Sequence, residues 1–467
     1  MSILNKKCIV GSIFFVMLIL IFSNILQFNV VDLFLVTIIG VVLSYILIKN
    51  DNYILICILV SSLTLTFLIE NIGVSGYVRY LLDYFLIIAL CKNIYYFAKG
   101  KAKFVRIYIF IIIFGIFTAI SAIVNKSSVS RYLYSFYSDY FRYFIVFASV
   151  VNFKLKKNFV ETYMKKLYLV LLMQVPIVIV QYFYYEKHWV SKGVGDVKQD
   201  YISGILGGRG TAEIGMIACL AVSFMYVLYQ RKKIKFSTFI MIIIDMILIL
   251  SIGEIKFCLA FLVLMLFIIT ILRLNIKGIF ISLLVLLMCY FGMNQLQKLY
   301  GWEDILSKES IMENLDYNYA GSNLSRMSAF GIANEQIKET GANMLFGRGI
   351  GNVKVKGTII GKRTEFQSNN IYEFKQFTIS QYLAENGWLG FISLSLIFIY
   401  LIYESVKLMK KGNTEQEKII GNCGIPLIII ILISTFYSTC MTKISFAILS
   451  WFLMGMLERT YLQYKEE

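Results

Sequence analysis

Residues 104–124 read FVRIYIFIIIFGIFTAISAIV, a stretch in which Arg106 is the only charged side chain. Apolar residues stand on every face of the helix it would form, and about 20 such residues are what a bilayer crossing takes. Comparable runs recur at 8–26, 30–48, 53–69, 78–97, 139–153, 167–185, 212–229, 236–250, 255–272, 278–293, 381–402, 423–438 and 443–457, which makes fourteen in all. The runs at 78–97 and 139–153 are the weakest, because they carry Arg79, Asp83 and Arg142. Of the 467 residues, 58% are hydrophobic and 16% charged, and mean hydropathy is +0.73. Soluble domains are roughly 45–50% apolar and about 25% charged. These values exclude a water-soluble enzyme, a disulfide scaffold and a disordered hub, and they predict an all-α polytopic membrane protein.

The net charge of +17 would suggest nucleic acid in a soluble protein, but here the cations first set orientation. With the N-terminus inside, Lys99, Lys101, Lys103 and Arg106 share one inner loop, and Lys154, Lys156, Lys157, Lys165 and Lys166 share another. Inner segments then hold about 25 Lys/Arg against about 10 in the short outer ones, a positive-inside bias that places both termini in the cytoplasm. The first run lacks a following small-residue cleavage site and reads as a retained helix. Eight scattered cysteines, no C-x-x-C and one histidine, His188, predict free thiols and neither metal nor cofactor. His188 beside Trp189 reads as interfacial. The 32 tyrosines and 37 phenylalanines read mostly as lipid-facing surface and interfacial belts.

Two outer segments are long, Glu186 to Gly210 and Asn294 to Ser380. They suggest three regions: helices over 1–293, an extracytoplasmic loop over 294–380, and three further helices with a cytoplasmic tail over 381–467. Loops of this length are usually functional. Within the longer one, Ser322 to Thr340 predicts a helix capped by Ser322, with Leu324, Met327, Phe330 and Ile337 on one stripe. Gly347-Arg348-Gly349-Ile350-Gly351 predicts a turn, and Val353, Val355 and Ile359 alternate as a short hairpin would. With only Pro176 and Pro426 in the chain, paired broken helices of the transporter kind are not expected.

Charges at the rims of spans are expensive and therefore functional candidates. Arg209 lies in Gly207-Gly208-Arg209-Gly210 with Glu213 one turn on. Lys256 follows Glu254 in a tight outer turn, Arg326 falls on the expected loop helix, and Arg348 sits in the glycine turn. Each also has a plainer reading: an interfacial anchor for Arg209, an ion pair for Glu254 and Lys256, a solvated helix face for Arg326. Asp139 with Arg142, and Arg79 with Asp83, are spaced to pair on a helix. Gathered at one membrane surface, the cations would suit a diphosphate, whose geometry arginine forks match.

Three blocks give the chain a resemblance to the bacterial O-antigen polymerase and O-antigen ligase superfamily, in its capsule or exopolysaccharide polymerase branch. The first is Gly204 to Gly210, entering a span through Glu213 and Gly215. The second is Leu250-Ser251-Ile252-Gly253-Glu254-Ile255-Lys256, with Lys256 where the family usually has arginine. The third comprises Ser322 to Arg326, Asn343-Met344-Leu345-Phe346-Gly347-Arg348-Gly349-Ile350-Gly351, and Gln381-Tyr382-Leu383-Ala384-Glu385-Asn386-Gly387-Trp388-Leu389-Gly390. It resembles the family's long-loop arginine helix, LFG-x-G-x-G turn and L-x-E-x-G-x-x-G helix. Together the blocks cover residues 200–400. Ligases carry His-Asn shortly before the last block, where this chain has Gln376-Phe377.

The resemblance implies a glycosyltransferase C-type membrane fold and metal-independent glycosyl transfer from polyprenyl-diphosphate-linked glycans, at the outer face of the bacterial cytoplasmic membrane. It implies that Arg326 and Lys256 hold the donor diphosphate, with Arg209 and Arg348 in support. Glu385 and Glu254 stand as bases or supporting groups. Expected partners are the lipid bilayer, a chain-length regulator and a flippase, and no nucleic acid. Rival readings are a lipid-linked oligosaccharide flippase, for which the long outer loop has no use, and a polysaccharide ligase of the same superfamily. A non-enzymatic membrane receptor is a third, and it leaves the rim cations unexplained.

Overall fold

The computed structural model describes residues 44–155, 159–188, 201–208, 210–252, 308–317, 323–354 and 364–466, with a few single positions between 264 and 291. All regular elements among the described residues are helical. In chain order they are α1 (Asp51–Glu70), α2 (Tyr80–Ala98, entered through a tight turn at Gly76–Arg79), α3 (Arg106–Val124), α4 (Val129–Phe136), α5 (Arg142–Asn152) and α6 (Phe159–His188). Then follow α7 (Thr211–Gln230), α8 (Phe236–Ile252), α9 (Lys308–Asp316), α10 (Ala329–Ile337), α11 (Gly341–Phe346) and α12 (Glu365–Asn369). The last three are α13 (Thr378–Lys411), α14 (Glu415–Tyr437) and α15 (Ile444–Glu466).

Among the described residues, seven helices are long and apolar enough to cross a membrane: α1, α2 with its entry turn, α3, most of α6, α7, α13 and α14. They contain the expected runs at 53–69, 78–97, 104–124, 167–185, 212–229 and 381–402, and nearly all of 423–438. The run at 236–250 falls in α8, and those at 139–153 and 443–457 fall largely in α5 and α15. The run at 8–26, most of 30–48 and of 255–272, and more than half of 278–293 lie outside the described residues. Burial sorts the helices. α7 is inside on 94% of its apolar window and α3 on 28%, so α7 is central and α3 turns Ile109, Ile112, Ile116 and Ile123 outward, as a lipid-facing helix does.

α13 is the hub, packed against α14, α3, α10, α11 and α15, while α5 packs against α15 and α2. In a bilayer, apolar burial does not drive helices together, so close approach of small residues and interhelical hydrogen bonds matter more. Ser405 Oγ on α13 donates to Gly421 O on α14 at 2.6 Å, and a Cβ at Gly424 would sit 2.9 Å from Ser405 Cβ. Arg459 on α15 closes the C-terminal end of α5, its Nη1 donating to the carbonyls of Val150 at 3.0 Å, Val151 at 3.2 Å and Phe153. Those carbonyls are orphans that the helix cannot satisfy itself.

The loop helix starts later than expected, at Ala329. Before it, Ser325 and Ser328 exchange hydrogen bonds, backbone N–H to the other's Oγ, at 3.0 and 3.1 Å, and such local bonds compete with helix. Ser322 lies outside the described residues, as do Val355 and Ile359 of the expected hairpin, while Val353 is buried in a turn. A second core of Leu324, Ala333, Ile337, Val353, Phe374 and Leu383 fastens the loop to the start of α13.

α13 is broken without proline. At Gly387 φ is +60° and ψ −169°, so residues 378–386 form a half-helix whose last carbonyls lose their partners. The glycine turn supplies them. Arg348 N donates to Ala384 O at 2.8 Å and Gly349 N to Glu385 O at 3.1 Å. Gly347, itself at φ +76°, lies against Gly387 backbone to backbone: a Cβ at Gly387 would come within 2.5 Å of Leu345 O, and one at Gly347 within 2.5 Å of Glu385 O. From α3, Asn125 Nδ2 donates to Gly347 O at 2.8 Å and Ser121 Oγ to Glu385 O at 3.3 Å.

Gly387→Ala forces a Cβ into backbone atoms at a positive φ and should destabilise the protein by more than about 2 kcal/mol. Gly331 in α10 has nothing within 4 Å of a Cβ, so Gly331→Ala should be neutral or stabilise by roughly 0.5–1 kcal/mol. Thermal melts of the purified protein in detergent check both, and a Gly387→Ala melt equal to wild type contradicts the backbone crossing.

Candidate functional site

A cleft opens between the loop and the helices, lined by polar and charged side chains. One wall is the helical stretch 129–141, contributing Arg131, Tyr134, Ser135, Ser138 and Asp139. The opposite wall is the continuation of the glycine turn, Gly351, Val353 and Lys354, with Lys375 from the short turn at Phe374–Gln376, and Glu385 closes the bottom. Between α4 and α5 the backbone widens over Tyr137–Phe141 into a π turn. An inserted turn of this kind re-aims the side chains that follow and is frequent at functional sites. Here it carries Asp139, which is buried yet lines the cleft.

Glu385 stands at the break in α13, and the break organises it. Its Oε1 accepts from Gly351 N at 3.0 Å, so the glycine turn holds the side chain as well as the backbone. Its Oε2 accepts from Tyr140 Oη at 3.1 Å and from Gln381 Nε2 at 3.2 Å. Gln381 Nε2 also reaches Asp139 Oδ2 at 3.4 Å, so one amide bridges two carboxylates. Asp139 Oδ1 accepts from Ser138 Oγ at 2.9 Å and faces Lys375 Nζ at 3.5 Å. Arg131 is buried behind the wall, its Nη1 donating to Asn352 Oδ1 at 2.8 Å. Burial and the nearby Lys375 ammonium push Lys354 below the ordinary lysine range, against the pull of Asp139, Glu373 and Glu385.

Three cations and two carboxylates therefore line the described cleft. The cations exceed the internal carboxylates, which suits a ligand that brings negative charge of its own. The carboxylates suit hydroxyl groups. A molecule combining an anionic group with a polyol would find partners for both.

The structure separates the residues expected at the site. Glu385 is in the cleft. Arg348 is not among its lining residues: its guanidinium donates to Gln336 O, from Nε at 3.1 Å, pairs with Glu339, and lies 4.7 Å from the Phe366 ring centre. It fastens the glycine turn to the last turn of α10, where a cation opposes the helix dipole. Arg326 precedes α10 rather than lying on it. It covers the Tyr437 ring at 4.4 Å, with Nε donating to Tyr437 O at 3.2 Å, and so ties the loop to the end of α14. Arg209, Glu254 and Lys256 lie outside the described residues.

Two expected ion pairs form differently. Asp139 pairs with Lys375, while Arg142 Nε donates to Ser138 O. Asp83 accepts from Tyr137 Oη at 2.6 Å, and Arg79 Nε donates to Gly76 O at 2.8 Å. Helical spacing predicts only neighbours on one face, and in both cases another element offers the better geometry. Sequence reasoning missed Arg131, Asp139, Lys354, Lys375 and Gln381 as site residues. Their one visible signal is Asp139, a carboxylate at the rim of an apolar run. A scan against protein-family models finds no match to this chain, and a search of curated proteins finds no similar sequence.

Proposed function

We propose that this chain is a polysaccharide polymerase of the bacterial cytoplasmic membrane, built on about fourteen spans in a glycosyltransferase C-type arrangement with the loop on the outer face. It transfers a growing glycan from its polyprenyl diphosphate to a hydroxyl of a new lipid-linked repeat unit. The observation that carries this reading is the cleft itself: carboxylates and lysines meet where the LFG-x-G-x-G turn docks onto the Glu-x-Gly-x-x-Gly helix. A flippase has no use for such a junction.

The chemistry follows from the charges. As the bond from the anomeric carbon to the diphosphate oxygen breaks, negative charge grows on the leaving group. Fixed ammonium groups preorganised around it lower the barrier without a metal. Lys354 and Lys375 are the cleft cations for this task, with Lys256 and Arg209 as further donor-side cations. Arg326 and Arg348 act through the loop, by keeping the walls in place. Partners on this reading are the lipid-linked glycans, the bilayer, a chain-length regulator and a flippase.

Deleting the gene should abolish the ladder of lipid-linked polymer while single repeat units still reach the outer face, and complementation should restore it. Repeat units stranded on the cytoplasmic face would sink the reading in favour of a flippase. Polymer accumulating on its carrier would favour a ligase.

Lys354→Met or Lys375→Met should lower polymer synthesis by roughly 10²-fold or more, the usual consequence of deleting one charge-stabilising group. Because Lys354 is depressed, its ammonium is lost earlier than an ordinary lysine's as pH rises. Synthesis should therefore fall on the alkaline side, and Lys354→Arg should move that fall to higher pH. An alkaline limb that does not move in Lys354→Arg removes Lys354 from the site.

A further inference from the structure

Resting on the polymerase reading, we propose that Asp139 is the catalytic residue that takes the proton from the acceptor hydroxyl, with Glu385 and Gln381 as the positioning residues that aim it. The resemblance leaves Glu385 and Glu254 open as bases or supporting groups; Glu254 lies outside the described residues, and the geometry gives Glu385 the supporting part. Glu385 is 1% exposed and both its oxygens are held, Oε1 by Gly351 N–H and Oε2 by Tyr140 and Gln381. A carboxylate so fixed has little lone-pair capacity left for a moving proton. Its bonds instead fix the glycine turn and the Gln381 amide.

Asp139 is placed differently. Ser138 Oγ donates to its Oδ1 at 2.9 Å, but its contacts to Gln381 and Lys375, at 3.4 and 3.5 Å, are at or beyond the long limit for hydrogen bonds. An incoming hydroxyl can displace them at small cost. Lys375 is about one-third exposed and carries a flexible stem, so it can turn from Asp139 toward the diphosphate as the hydroxyl arrives. The ion pair in the empty cleft thus separates into the two charges the reaction uses.

In the step itself, the acceptor oxygen bonds to the anomeric carbon as that carbon's bond to the diphosphate oxygen breaks. The bonding pair leaves on the diphosphate, and the acceptor proton passes to the Asp139 carboxylate, from which it reaches solvent through the open cleft. Charged and titratable groups facing Asp139 are Arg131, Tyr140 and Tyr143 along its own helical stretch, Lys354 and Lys375 across the cleft, and Tyr382 and Glu385 on α13.

The test uses membranes holding the full chain and lipid-linked repeat units extracted from cells lacking the gene. Asp139→Asn should keep the protein in the membrane with a wild-type melt and nearly unchanged KM, and should lower kcat by about 10²–10⁴-fold, the span of general-base catalysis. Asp139→Glu should recover part of kcat. Glu385→Gln, acting through Asp139, should lower kcat less than Asp139→Asn does and should add little further loss in an Asp139→Asn background. An Asp139→Asn enzyme of near-wild-type kcat, or one impaired in KM alone, overturns the assignment. So does a Glu385→Gln loss of kcat that exceeds that of Asp139→Asn or adds to it in full, or an Asp139→Glu protein that folds with no activity recovered. Wild-type membranes that make no polymer overturn the polymerase reading instead.

Discussion

The rest of this structure depends on one backbone crossing. α13 must stop hydrogen-bonding to itself at Gly387, and the two carbonyls it abandons, at Ala384 and Glu385, are satisfied by N–H groups of Arg348 and Gly349. An unsatisfied carbonyl in this setting costs on the order of 1–3 kcal/mol, so the break and the glycine turn require each other. Gly347 and Gly387 have no side chains because the two backbones occupy that space. From this crossing follow the position of the loop, the direction of Glu385 and the depth of the cleft.

The crossing also explains how a polar site persists beside apolar helices. Charges there are costly unless each has a partner. Arg131 has Asn352, Asp139 has Lys375, and Glu385 has a backbone N–H, a phenol and an amide. Gln381 Nε2 reaches both carboxylates, at 3.2 Å for Glu385 and 3.4 Å for Asp139, so one amide links the two while Asp139 is held the more loosely.

The seven membrane-length helices were legible from hydropathy alone, since composition over 20 residues decides them. The turn at 347–351 was legible from its glycines. The break at Gly387 was not: one glycine in an apolar run is compatible with an unbroken helix, and only the docking of residues 40 positions upstream makes breaking favourable. The start of α10 was hidden for a related reason, because Ser325 and Ser328 bond to each other instead of capping a longer helix. Of the site, Glu385 stood out through its motif. Asp139, Lys354 and Lys375 come from three separate segments, and no spacing rule links residues that only tertiary folding assembles.

This division bears on what the resembling blocks signify. Arginine offers a planar fork of donors suited to fixed acceptors, whereas lysine is a mobile point charge. In this protein Arg326 and Arg348 place their guanidinium groups on main-chain carbonyls and aromatic rings, at the ends of α14 and α10. The arginines and glycines that carry the resemblance therefore build the junction, and the lysines and the aspartate outside those blocks line the space it creates. A motif used for construction identifies a framework, and frameworks host more than one chemistry. What the cleft can hold is accordingly set by the placement of Asp139, Lys354 and Lys375 against the motif residues that reach it, Gly351 and Glu385.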